Sequence, residues 1–220
     1  MKKLLNRIKK QQKVEYTLFN SIPIIIKDKL TSNIDLEKLV HSIEALIPPP
    51  PPSLIKTISI EDNPIFGKRK VNALYHNRIL YLSNNQDNLN DMLDDIIHEY
   101  SHALEEKYTE EIYADQSIRE EFLIKRSQLE LQLRAYGFDT SKYNFKDINL
   151  DRKLDNFLLN VVGYKKLEKL TNYGLFINAY AATSLREYFA TGFEEYVLGD
   201  STELANISPK LLTKIKEIIG

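Results

Sequence analysis

The chain has 220 residues, enough to bury a core without covalent staples, and no cysteine, so disulfide frameworks, thiolate metal sites, iron–sulfur clusters and thiol nucleophiles are excluded. Thirty Lys and Arg against 31 Asp and Glu give a net charge of −1, which leaves no overall field to draw in nucleic acid, and none is expected as a partner. His41, His76, His98 and His102 are the whole imidazole supply.

No apolar run approaches the roughly 20 residues that span a bilayer; the longest, Ile22 to Ile26, is broken by Pro23. The opening MKKLLNRIKK returns to Arg7, Lys9 and Lys10 before an apolar core can develop, which predicts no secretory signal and either a cytoplasmic protein or a leaderless route of delivery. Lys2 to Lys13 carries six positive charges and no acid, with Leu4, Leu5 and Ile8 on one helical face. Packing on a neighbour is the favoured reading of that segment, ahead of contact with an anionic membrane.

Residues 2 to 30 read as helical with a break near Pro23, and Asn33-Ile34-Asp35 opens an amphipathic helix through Leu36, Leu39, Ile43 and Leu46. Pro48 to Pro52 end it. Five prolines in a row favour polyproline II, a stiff spacer in preference to a partner-docking strip, and mark the expected boundary between a helical N-terminal region, residues 1–53, and a second domain, residues 54–220. Lys56 to Glu61 alternates as a half-buried strand, and Asp62-Asn63-Pro64 reads as a turn. Val71 to Tyr75 and Arg78 to Ser83 form a predicted hairpin through His76-Asn77.

From Asp87 a helical pattern runs to about Lys107 through Leu89, Leu93, Ile96, Ile97, Tyr100 and Leu104, with Asn84, Asn85 or Asp87 as cap. Helical periodicity resumes from Glu110 to Arg134, Asp151 to Lys169, Ser184 to Leu198 and Pro209 to Ile219. The expected class is α+β, mostly helical, with one small sheet.

Inside the long helix, Ile97-His98-Glu99-Tyr100-Ser101-His102 contains HExxH. Residues four apart share a helix face, so both imidazoles can meet one ion, while Glu99 is placed to take a proton from water on the metal. Zinc suits this donor set, at one ion per chain. It needs a third protein ligand if a position is to stay open for water and substrate. His41, in the amphipathic helix, and His76, in the turn, suit surface roles better, so a carboxylate is expected. Glu105, Glu110, Glu111 and Asp115 are weak candidates. Glu187, in REYFATGFEEY, is the better one, because Ala190, Gly192 and the aromatic residues around them describe a closely packed helix; spacing alone does not select it.

HEYSH followed by EYFATGFEEY resembles the anthrax lethal factor-like zinc metallopeptidases, a family that includes the Pro-Pro endopeptidases. The resemblance covers roughly residues 54 to 220, but its specific content is HExxH, a Tyr and the EYFA segment. It implies a zincin-like catalytic domain with a small sheet and an active-site helix. It further implies zinc held by His98, His102 and Glu187, Glu99 as general base, and Tyr180, seven residues before Glu187, as a hydrogen-bond donor to the developing oxyanion.

The implied activity is endopeptidase cleavage of a protein substrate, with the strand at 78–83 as the platform for an extended peptide. Proline preference is implied by only part of the family. Thr191 stands where the family usually has a second Glu, which leaves support of an imidazole to Thr191, Asp94, Asp95 or Glu194. The long stretch between His102 and Glu187 implies a helical insertion at about 108–170, a lid, a substrate wall, a docking surface or simple packing. These departures motivate an alternative from another class, a catalytically weak or inactive zincin-fold module for binding or assembly.

Overall fold

The computed structural model describes residues 14–51, 53–69, 71–171 and 174–220. The chain divides into two compact units, Met1–Ala103 and Leu104–Gly220.

The first unit is built on a five-stranded mixed sheet. β1 (Val14–Leu18) and β2 (Ile22–Ile26) form an antiparallel hairpin. β2 runs parallel to β3 (Thr57–Glu61), β3 runs parallel to β5 (Ile79–Ser83), and β5 pairs antiparallel with β4 (Ala73–His76), so the order across the sheet is β1-β2-β3-β5-β4. The registers Ile24↔Ile58↔Leu80 and Ile60↔Leu82↔Ala73 line up apolar side chains on one face, and Ile58, Ile60, Leu80 and Leu82 are essentially inaccessible to water. Each fully buried aliphatic side chain on this face contributes about 1.5–3 kcal/mol.

Two helices bury apolar stripes in this unit. α1 (Leu36–Leu46) buries Leu36, Leu39, Val40 and Ile43, and Asp35 caps it by accepting from the Lys38 amide at 3.0 Å. The short α2 (Pro64–Arg69) follows β3. α3 (Leu89–Lys107) is the long helix expected from the sequence. Its cap is Asn88, whose Oδ1 accepts from the amides of Asn90 and Asp91 at 2.8 and 3.1 Å, rather than Asn84, Asn85 or Asp87.

Several expectations do not hold. The helix expected over residues 2 to 30 is a β-hairpin where it is described; its first part, with the basic Lys2–Lys13 stretch, lies outside the described residues. Phe19 and Asn20 take the left-handed conformation, which turns the chain back on itself and favours strand pairing over helix. Pro23 is tolerated because the parallel ladder to β3 begins only at Ile24. The prolines are not the boundary between units either, because β2 before them pairs with β3 after them. Pro64, expected in a turn, opens α2, and the later hairpin turns at Asn77-Arg78, both with positive φ, one residue on from His76-Asn77.

The second unit is helical. It comprises the last turn of α3, α4 (Thr109–Tyr113), α5 (Ser117–Ala135), α6 (Arg152–Asn156), a π-helical stretch (Phe157–Gly163) and α7 (Tyr164–Thr171). A 3-10 turn (Tyr180–Ala182), α8 (Leu185–Leu198), α9 (Ser201–Ile207) and α10 (Pro209–Ile219) complete it. No sequence period announces α9, which at seven residues is too short to show one.

The close approach that Ala190 and Gly192 announce is made with α10. A Cβ on Gly192 would lie 2.3 Å from a Leu211 methyl carbon, so any larger residue there would have to push the buried Leu211 side chain aside. Phe122, Phe176 and Tyr188 form an aromatic cluster beside it, with ring centroids 5.5–6.1 Å apart.

Candidate metal centre

α3 places His98, Glu99 and His102 in one group, their potential ligand atoms all within 4.8 Å of one another. The imidazole rings lie edge to face with centroids 5.0 Å apart. His102 is buried, whereas His98 and Glu99 are half-buried, so the group opens to solvent on one side. Two imidazoles at this separation suit an ion that takes nitrogen ligands at about 2.1 Å. Ser101 donates to the His98 carbonyl at 2.5 Å within the same turn.

Glu99 is anchored from outside the helix. Its Oε2 accepts from the backbone amide of Tyr75 at 2.6 Å. Tyr75 is in β4, the outermost strand on that side of the sheet, so this carboxylate sits at a sheet edge. The finding revises the expected peptide platform. β5, residues 79–83, has β3 on one side and β4 on the other; its backbone is already paired twice and offers no edge.

One helical turn before Glu99, Asp95 accepts from Gln86 Nε2 at 3.1 Å. Burial raises its pKa to about 6; the Gln86 bond pulls the other way, and the charge of Glu99 adds to the rise. Gln86 is itself buried, a contact that no sequence period could flag because it belongs to an irregular Asn-Asn-Gln-Asp turn.

Glu187 lies in the second unit, in the first turn of α8, where it is buried. Its amide donates to Oγ of the cap residue Ser184 at 3.1 Å. Tyr180 begins the 3-10 turn just before, 37 % exposed, and its carbonyl accepts from the Thr183 hydroxyl at 2.8 Å. Thr191, one turn after Glu187, is buried, and its hydroxyl has no hydrogen-bond partner among the described residues.

The weaker ligand candidates are committed elsewhere or exposed. Glu105 accepts from the Tyr113 hydroxyl at 2.5 Å and lies 3.5 Å from Arg186 Nε; burial first, and then the Glu105 charge, push the Tyr113 phenol well above its usual pKa. Asp115 accepts from Lys214 at 2.7 Å. Glu110 and Glu111 are exposed, as are His76 at the end of β4 and His41, whose Nδ1 lies 2.8 Å from the Glu37 carbonyl. No helix among the described residues is long and apolar enough to cross a membrane.

No family model, curated protein or solved structure matches the chain. The functional reading therefore rests on the residues.

Proposed function

We propose that this protein is a zinc-dependent endopeptidase of zincin-like design, in which His98, His102 and Glu187 hold one zinc ion and Glu99 is the general base. The observation that carries the reading is the convergence of two imidazoles and one carboxylate on a single helix face, with that carboxylate fixed to a sheet edge. A solvated helix face has no reason to commit an edge-strand amide to its glutamate.

Zinc, when bound, supplies Lewis acidity toward a peptide carbonyl and toward water. Glu99 takes the proton from the attacking water and returns it to the leaving amine, a shuttle that needs its carboxylate free to alternate between protonation states. The hydrogen bond from Tyr75 keeps that carboxylate aimed while leaving its second oxygen for the proton. Tyr180 donates to the oxygen that gains charge. An extended substrate peptide lies beside β4, residues 73–76, the strand whose outer side is an edge, without using the Tyr75 amide that Glu99 holds.

The test combines metal analysis with cleavage of a diverse peptide library. One zinc per chain and chelator-sensitive cleavage are expected. Glu99→Gln should keep the zinc and lower hydrolysis by about 10³-fold, in the range of general acid–base contributions; undiminished hydrolysis overturns the mechanism. Glu187→Ala should lose the metal, and a variant that retains it at wild-type affinity removes Glu187 from the ligand set. Zinc without cleavage, together with a stable protein partner, would favour the assembly module.

A further inference from the structure

α5 carries three buried charged side chains, Glu121, Lys125 and Arg126. Backbone groups, rather than opposite charges, supply nearly all of their hydrogen bonds among the described residues. Glu121 accepts from the amides of Lys210 and Leu211 at the start of α10 and from the Tyr188 hydroxyl, at 3.0, 3.2 and 2.8 Å. Lys125 donates to the carbonyls of Leu175 and Ile207 at 2.7 and 2.6 Å. Arg126, at 0 % exposure, donates through Nη1 to the carbonyls of Ala182 and Thr183, at 2.7 and 3.2 Å, and through Nη2 to that of Asp147 at 3.4 Å.

The targets of Arg126 are specific. Ala182 and Thr183 join Tyr180 to Ser184, the cap of α8, and Ser184 in turn holds the Glu187 amide. Asp147 precedes Ile148, whose carbonyl accepts from the Leu185 amide at 2.8 Å. One guanidinium therefore fastens the segment that carries both Tyr180 and Glu187, and also the loop that supports its next residue. Phe122 and Phe145 lie against the guanidinium, 5.2 and 5.7 Å from ring centroid to Cζ, so the cation is enclosed by π-faces and carbonyls. A lysine would bring one point charge where the site uses a planar fork on three acceptors.

We propose that Arg126 is a positioning residue that fixes the Tyr180–Glu187 segment, and that the helical stretch around it serves as a scaffold for that segment. This rests on the reading that the segment supplies the third zinc ligand and the oxyanion donor. The 108–170 stretch thereby acquires a definite role, since α5 reaches 56 and 57 residues along the chain to hold the turn before α8.

The test uses the full chain with Arg126→Lys, which keeps the charge, and Arg126→Gln as a second variant, with Lys125→Met as control. Hydrogen exchange of the metal-free protein comes first. Both Arg126 variants should speed exchange across residues 180–187 about tenfold and leave the sheet of the first unit unchanged. Lys125→Met should loosen the chain near Leu175 and Ile207 instead. Wild-type exchange at 180–187, or equal loosening of every helix in the second unit, overturns the proposal.

Zinc titration and kinetics follow. Arg126→Lys should bind zinc about tenfold more weakly and lower kcat with little change in KM; wild-type zinc affinity and kcat in a variant whose 180–187 segment has loosened also overturn it. Failure of the metal reading shows separately, as a Glu187→Ala protein that keeps its zinc.

Discussion

The His98–His102 turn and the Tyr180–Glu187 segment are built in opposite ways. The first is local: two imidazoles four residues apart on one helix are brought together by the helical repeat itself, and Glu99 beside them is tied to the Tyr75 amide. The second is assembled at long range, by Arg126 from one side and Ile148 from the other. A local site survives any disturbance that leaves its helix intact. A segment hung on a buried cation fails when the cation goes, whatever its own sequence prefers.

The sharpest break of this contrast is Arg126→Met. Removing the guanidinium leaves the carbonyls of Ala182, Thr183 and Asp147 without their donor in a buried place, and the expected loss is about 3–5 kcal/mol of stability. His98→Ala, on a half-buried helix face, should cost under about 1 kcal/mol in the metal-free protein while abolishing zinc binding. Urea unfolding of the two variants side by side measures the difference. Equal losses would mean that the long-range segment is no more dependent on its clamp than the local turn is on its histidine.

The same contrast sets what can be read from the amino-acid order. The α1 and α3 helices and the β3, β4 and β5 strands are legible because Leu36, Leu39 and Ile43, or Ile58 and Ile60, repeat at the period of their element. HExxH is legible for the same reason, since its geometry is a property of one helix. β1 and β2 are not, because their apolar residues suit either period and the deciding feature is the left-handed turn at Phe19 and Asn20. Nor is the edge. That β4, not β5, is the outer strand follows from a parallel β3 pairing with β5 across the intervening chain, a tertiary choice that no local spacing encodes. Arg126 reads as one more charge on a polar helix, and only the packed structure shows it wholly buried.

A smaller effect probes how the local site tolerates charge. Asp95 accepts a hydrogen bond from Gln86 and lies in the field of Glu99, and its folded pKa of about 6 is above the ordinary 3.8. The folded state therefore binds a proton more readily than the unfolded chain between those values. Stability must fall as pH rises from about 4 to about 6, and stay lower above. The difference is on the order of 2 kcal/mol once partial exposure is allowed for. In metal-free protein, Asp95→Asn should flatten that slope and raise the midpoint at pH 8; an unchanged pH profile would show that Asp95 titrates alike in both states.

The smallest effect tests whether α3 is a single rigid unit as far as its histidines. Asn88 caps the helix through two amides, and Asn88→Ala should cost about 1 kcal/mol, the usual worth of a side-chain cap. That loss belongs to the first turn. His98 lies ten residues further on, nearly three turns, and Glu99 is tied separately to Tyr75, so fraying at Leu89 or Asn90 does not reach the imidazole pair. Zinc affinity in Asn88→Ala should therefore equal the wild-type value while the thermal midpoint drops by several degrees. A parallel fall in zinc affinity would show that the histidine turn takes its order from the whole helix, and the contrast with the Arg126-dependent segment would narrow accordingly.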